Sequence, residues 1–192
     1  MVSGLVRHVR DRVAYRRYVW AQIRQSRAKR RKDASFRIEP FVRVIKTYCP
    51  DLTPGASILC IGARNEIEVS IFEREGFSGV TAIDLWSSSP KIRKMDMHAL
   101  RFREDSFDLI FASHVFEHAY DFPRVAHECA RVLRPGGYLF CAFPTGFEVN
   151  DHDRVDFGDA EGLLRHFAFW RPEKLCEARN LNEVSVLFRV AK

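Results

Sequence analysis

Four polar positions stand at the ends of apolar runs. Gly62 follows Ser57–Ile61, Asp84 follows Gly79–Ile83, Asp96 follows Ile92–Met95, and Ser113 follows Phe107–Ala112. If those runs are parallel strands, their carboxyl ends share one edge, and ligands of such sheets bind outside that edge. An acid after the second strand can accept both hydroxyls of a ribose, and a carboxylate in the next loop can accept from an exocyclic amine. An Asp at a strand end is commonplace taken singly. The three in register with Gly62 carry the functional reading.

Two further groups could move protons or hold a cation. His114, Glu117 and His118 form H-x-x-E-H; on a helix these share a face and could meet one divalent ion. The other reading puts Ser113 and His114 at the mouth of a site, leaves Glu117 and His118 structural, and assigns no metal. Asp151-His152-Asp153 follows the fifth apolar run. A histidine near neutral pKa can take the proton of a hydroxyl, so His114 and His152 are the base candidates.

The elements that must position these groups follow from periodicity. Residues 3–31 have few breakers. Val2, Leu5, Val6, Val9, Val13, Trp20 and Ile23 fall on one face at helical spacing, with Arg on most of the rest. Phe41–Tyr48 reads as a short helix after Pro40. Asn65–Glu75 and Asp121–Leu133 read as helices between the apolar runs, and Tyr138–Phe143 as the fifth strand, after the turn Arg134-Pro135-Gly136-Gly137. This β-α-β-α order implies a parallel sheet covered on both faces. At the end of the chain Pro172–Arg179 reads as helical and Glu183–Ala191 as a strand, with Phe167–Trp170 a weak strand candidate.

Between residues 56 and 144 the chain resembles the Rossmann-like, class I S-adenosylmethionine-dependent methyltransferases. The resemblance rests on Ile58-Leu59-Cys60-Ile61-Gly62, Ala82-Ile83-Asp84, Lys94-Met95-Asp96-Met97, the segment S-H-V-F-E-H-A-Y-D from Ser113, and R-V-L-R-P-G-G from Arg131. It implies a doubly wound α/β fold with a mostly parallel seven-strand-type sheet; the family closes that sheet with a two-strand hairpin, but one clear strand is read here, so the C-terminal hairpin is expected to be reduced, and N-terminal helices precede the sheet. It also implies methyl transfer from S-adenosylmethionine, and the expected acceptor is a small-molecule or lipid-like one. It would place Gly62 under the methionine part, Asp84 on the ribose and Asp96 with Met97 at the adenine; Ala63, Arg64 and Leu85 are further cofactor candidates, and Ser113 with His114 would line the cofactor and acceptor mouth.

The loop after the first strand departs from the family's D-x-G-x-G-x-G. Cys60 replaces the acid, Arg64 the second glycine and Glu66 the third. Asn65 tolerates left-handed geometry and is the expected bearer of the turn. Arg64 can offer a charged fork to the cofactor carboxylate, and Glu66 suits a helix start. A non-catalytic binding or scaffold protein with a degenerate cofactor loop is the alternative, and an RNA methyltransferase a second.

Bulk properties narrow the setting. With 192 residues, 46% of them hydrophobic, the chain can build a core. Five scattered cysteines without C-x-x-C spacing indicate reduced thiols, and no long apolar run suggests a membrane span or secretory signal. The expected location is cytoplasmic, with a peripheral membrane contact as a variant. Residues 1–32 hold eleven Lys/Arg against Asp11 alone. The chain therefore divides into a basic amphipathic leader, 1–35, and a methyltransferase-like domain, 36–192. The leader's expected partners are the domain itself or a second copy of the chain, then an anionic membrane surface, then RNA.

Overall fold

The structure is a computed structural model describing residues 2–191, with side chains described from Asp11 onward. Helix α1 (Val2–Ala28) and helix α2 (Ser35–Tyr48) precede strand β1 (Ser57–Ile61). Then come α3 (Ile67–Arg74), β2 (Gly79–Asp84), β3 (Ile92–Lys94), β4 (Phe107–Ser113), α4 (Phe122–Val132) and β5 (Leu133–Pro144). The chain closes with α5 (Ala160–Leu164), β6 (Pro172–Arg179) and β7 (Glu183–Val190). Phe116–His118 and Arg165–Trp170 are 3₁₀ turns.

The seven strands form one sheet in the order β3-β2-β1-β4-β5-β7-β6. The first five are parallel, and β7 runs antiparallel to both of its neighbours. The order reverses between β1 and β4, which is where a doubly wound sheet opens its crevice. The strands alternate between two faces. Leu59, Ile61, Ile110 and Leu139 pack toward α4, whereas Ile58, Cys60, Leu109 and Phe140 pack toward α2 and α3. Phe111 and Phe140 stack with ring centroids 5.3 Å apart, and Phe72 meets Phe111 edge-on. Asp121 caps α4 by accepting the Arg124 N–H at 3.2 Å, which fixes where that helix begins.

Three expectations are corrected. Pro172–Arg179 is a strand, so the C-terminal hairpin is complete rather than reduced. Its charged sequence has good helix propensity, but pairing with β7 overrides it, and charge is what a sheet edge requires. Phe167–Trp170 lies in a 3₁₀ turn and not a strand. Helix α2 begins at Ser35 and carries Pro40 inside it. Pro40 therefore costs a helical bond without ending the helix, whose Ile38, Val42 and Ile45 anchor it to the core.

The leader docks on the domain through a face other than its apolar stripe. Tyr18 and Gln22 are buried, while Val13 is 46% and Trp20 69% exposed. Leu5 and Val9, also in that stripe, lie outside the described side chains. Tyr15 and Tyr18 pack edge-on against His98, and Arg154 sits over the rings of Tyr18 and Tyr120 at 5.9 and 4.8 Å. Gln22 donates to the His152 carbonyl at 3.0 Å. Amphipathicity selects an apolar stripe, but here aromatic and hydrogen-bonding contacts hold the helix. In a chain whose only tryptophan is Trp20, after Trp86→Phe and Trp170→Phe, emission should be red-shifted and readily quenched by acrylamide. Blue, protected emission would place the stripe in a contact.

Candidate functional site

The site forms where β1, β2 and β4 end. Gly62 takes φ +80°, and a Cβ there would lie 2.6 Å from Val115 Cγ2, so both conformation and space demand glycine. The Gly62 and Ala63 N–H groups donate to the Ile83 carbonyl at 2.8 and 3.1 Å. The loop is thereby folded back on the end of β2. Asn65 does not have positive φ, contrary to expectation. Instead its Oδ1 accepts the Ile67 N–H at 3.2 Å, and its amide donates to the Lys32 carbonyl at 3.1 Å. It secures the start of α3 and ties it to the segment between α1 and α2. Glu66 accepts from the Ser89 hydroxyl at 2.6 Å and pairs with Lys91 at 3.2 Å.

Two clefts meet over this loop. The first encloses about 530 Å³ of empty space, counted out to its open mouth. Its floor is Ile61, Gly62, Asp84, Leu85 and Met97, and α1 covers it with Tyr18, Gln22, Gln25 and Ser26. The second, about 890 Å³ by the same measure, lies between α2, α3 and the end of β4. The two share Gly62, Arg64, His114 and His118.

Asp84 is 8% exposed, and burial pushes its carboxyl up, against the opposing Trp86 N–H and Arg64. Its two bonds, from Trp86 N–H at 2.8 Å and the Ser26 hydroxyl at 3.4 Å, both fall on Oδ1. Asp96 is placed differently from the expectation. One oxygen takes the His98 N–H at 2.9 Å and faces His98 Nδ1 at 2.7 Å; the other accepts from the Tyr15 hydroxyl. Burial alone would raise it, but those bonds hold it low. Asp96 thus anchors α1 and does not line the cleft, whereas Met95 and Met97 do. Ser113 lines the second cleft, and Ala63 is buried beneath the loop.

His114 sits in the left-handed region at φ +52°, held by its N–H to the Ala142 carbonyl at 2.8 Å. Its Nε2 is 2.6 Å from Glu183 Oε2. His118 Nδ1 is 2.8 Å from Asp153 Oδ1. Burial lowers the pKa of both rings; Arg37 adds to this at His114, while Asp153 opposes it at His118. Glu117 lies between them, 3.7 Å from His114 and 4.0 Å from His118, with a buried Oε2 that makes no hydrogen bond. Burial pushes its carboxyl up to about 8. His114 precedes a 3₁₀ turn instead of sharing a helix face with Glu117 and His118. Among the described residues no group of three is arranged to hold an ion.

The ring of His152 lines neither cleft; its backbone carbonyl serves Gln22. The residue missed in its loop is Asp153, which orients His118. Tyr15, Tyr18, Gln22 and Ser26 were also missed, though their spacing along one helix face was available as a signal.

This site sits in a fold with known counterparts. Residues 59–141 match the sequence family described as "Methyltransferase domain". The chain has the Rossmann-like methyltransferase fold. The solved Burkholderia thailandensis 1,6-didemethyltoxoflavin-N1-methyltransferase, with its ligand and S-adenosylhomocysteine bound, superposes with TM-score 0.70 at 14% identity, covering 95% of this chain and 90% of that one. The [4+2]-cyclase SpnF superposes at 0.65 with 14% identity, covering 80% of each. A curated relative, malonyl-[acyl-carrier protein] O-methyltransferase of Halorhodospira halophila, is 36% identical over 59 residues, or 30% of this chain. That match spans about a fifth of the relative's length.

The buried Glu117 makes a thermodynamic prediction. Its folded carboxyl keeps a proton that the unfolded chain gives up near 4.5, so the fold loses stability as pH rises from about 4.5 to about 8. Glu117→Gln should therefore match the wild type in acid and exceed it at pH 8, by on the order of a few kcal/mol in urea titrations. A gap that does not grow with pH would contradict the assignment.

Proposed function

We propose that the chain is an enzyme that transfers a methyl group from S-adenosylmethionine to a small-molecule acceptor. The observation carrying this reading is that the two clefts join at Gly62, Arg64, His114 and His118. One cleft suits the cofactor and the other the acceptor, with their junction at the reacting atoms. The methyltransferase-domain match and the likeness to a structure holding S-adenosylhomocysteine support it.

The residues present fit the cofactor. Asp84 is buried with bonds on one oxygen only, as an acid awaiting ribose hydroxyls would be. Arg64 reaches the junction with a buried Nε that makes no hydrogen bond, as a cation awaiting a carboxylate would be. Since Asp96 is committed to Tyr15 and His98, the adenine would rest among Leu85, Met95 and Met97 by apolar contact. The cofactor supplies an electrophilic methyl on a sulfonium. The chain aligns the acceptor lone pair with it and shuts out water through α1.

His118 is the better placed base. Asp153 holds its Nδ1 side, which leaves Nε2 to take a proton from an acceptor hydroxyl or amine. His114, with Nε2 against Glu183, is the second candidate. Because burial lowers both rings, each stays neutral, and able to accept, below the usual 6.5. The acid limb of kcat/KM should accordingly fall below pH 6.5 and vanish in His118→Asn if His118 is the base. An unchanged limb in that variant would transfer the role to His114.

Binding tests the cofactor assignment directly. S-adenosylhomocysteine should give calorimetric heat with the wild type, and Asp84→Ala should weaken it by about 1–3 kcal/mol, the scale of a lost buried polar contact. Arg64→Gly should also bind more weakly, although it restores a family-like glycine. No heat at millimolar ligand would overturn the enzyme reading in favour of a scaffold. Tighter binding by Arg64→Gly would make Arg64 an obstruction.

A further inference from the structure

The second cleft has more positive charge than its own carboxylates balance. Lys29, Lys32, Arg37 and Arg64 line it. The carboxyls among its walls are Glu68, Glu117 and Asp153. Burial pushes Glu68 up to about 7 and Glu117 to about 8, so near neutral pH both are largely or partly protonated. Asp153 is engaged with His118 at 2.8 Å. Behind them, Glu183 is engaged with His114 at 2.6 Å and lies 3.9 Å from Arg37.

The cations differ in their access to water: Lys29 and Lys32 are exposed, and Arg37 is half-buried. The Arg37 Nε is buried and makes no hydrogen bond. The Lys29 ammonium is lowered, by burial first and then by repulsion from Arg64 and Lys32. Arg37 is half-buried, and its carboxylate neighbour Glu183 stands 3.9 Å away and is shared with His114, so an entering anion would add charge-assisted bonds to it. Glu117 Oε2, also buried and unpartnered, could donate to the same group while its carboxyl is protonated.

We propose that the acceptor carries an oxyanion, a carboxylate or a phosphate, seated by Arg37 with Lys32 and Lys29 in the second cleft. This rests on the reading of the first cleft as the cofactor site, with Arg64 given to the cofactor carboxylate. Three cations then remain for the acceptor. The oxyanion fixes one end of the acceptor, and the reacting atom at the other faces the junction at His118. Neutral analogues of the same shape would be discriminated against, because they would leave the cations unpaired.

Calorimetry on the full chain tests this in two stages. S-adenosylhomocysteine is titrated first, and the saturated protein is then titrated with malonate, with inorganic phosphate, and with malonamide as the neutral control. We expect heat from malonate or phosphate, whichever oxyanion the seat fits, and none from malonamide. Arg37→Gln and Lys32→Gln should each weaken the anion by about tenfold or more, the scale of a lost bond to a charged group. Arg103→Gln, an exposed arginine away from the cleft, should leave it unchanged. The proposal is overturned if neither anion binds, if Arg37→Gln binds as the wild type does, or if S-adenosylhomocysteine displaces the anion. Displacement would assign all four cations to the cofactor. Should S-adenosylhomocysteine itself give no heat, the cofactor reading falls, and titration of the free protein still decides whether Arg37 and Lys32 hold an anion.

Discussion

The site depends on one backbone carbonyl. Ile83 accepts from both Gly62 and Ala63, and so pins the loop after β1 to the end of β2. That pin brings Gly62 against Val115 closely enough that no side chain fits between them. It also delivers Asp84, the next residue of β2, to the floor of one cleft, and Arg64 to the junction of both. A loop with three glycines could offer its backbone N–H groups to a ligand. This loop spends three of them internally, Gly62 and Ala63 on Ile83 and Arg64 on Gly62, and a guanidinium stands where the second glycine would be. The departure from a glycine-rich loop is thus a coherent local structure: Asn65 secures the helix start, Glu66 pairs with Lys91, and Arg64 remains at the mouth.

Burial sets the electrostatics of the junction more than pairing does. The same desolvation that raises the carboxyls of Glu68 and Glu117 lowers the rings of His114 and His118. Helix α1 contributes to that burial. Its Tyr18, Gln22 and Ser26 roof the first cleft, and the Tyr15–Asp96–His98 contacts fasten it there. A segment set apart in the sequence by its charge is, in the fold, one wall of the site. No helix among the described residues is long and apolar enough to cross a membrane.

The central strands were legible because strands buried on both faces read as near-continuous apolar runs, as Ile58–Ile61 and Leu109–Ala112 do. Gly62, Asp84 and Ser113 stand at the strand ends where the pattern put them, since a parallel sheet converts chain order into spatial order. What sequence reasoning missed depends on contacts remote along the chain. Pro172–Arg179 becomes a strand only through β7, and Asp153 meets His118 only because the loop after β5 returns over the site. Nothing local shows that Tyr15 will reach Asp96. The docking face of α1 was hidden by a more apolar stripe that turns outward at Val13 and Trp20.

The most direct measurement is an experimental structure of the full chain at saturating S-adenosylhomocysteine. The ribose should lie on Asp84, the carboxylate at Arg64, and the sulfur at the junction near Gly62, facing His118 and the second cleft. A ligand bound elsewhere, or one whose sulfur is walled off from that cleft, would contradict it.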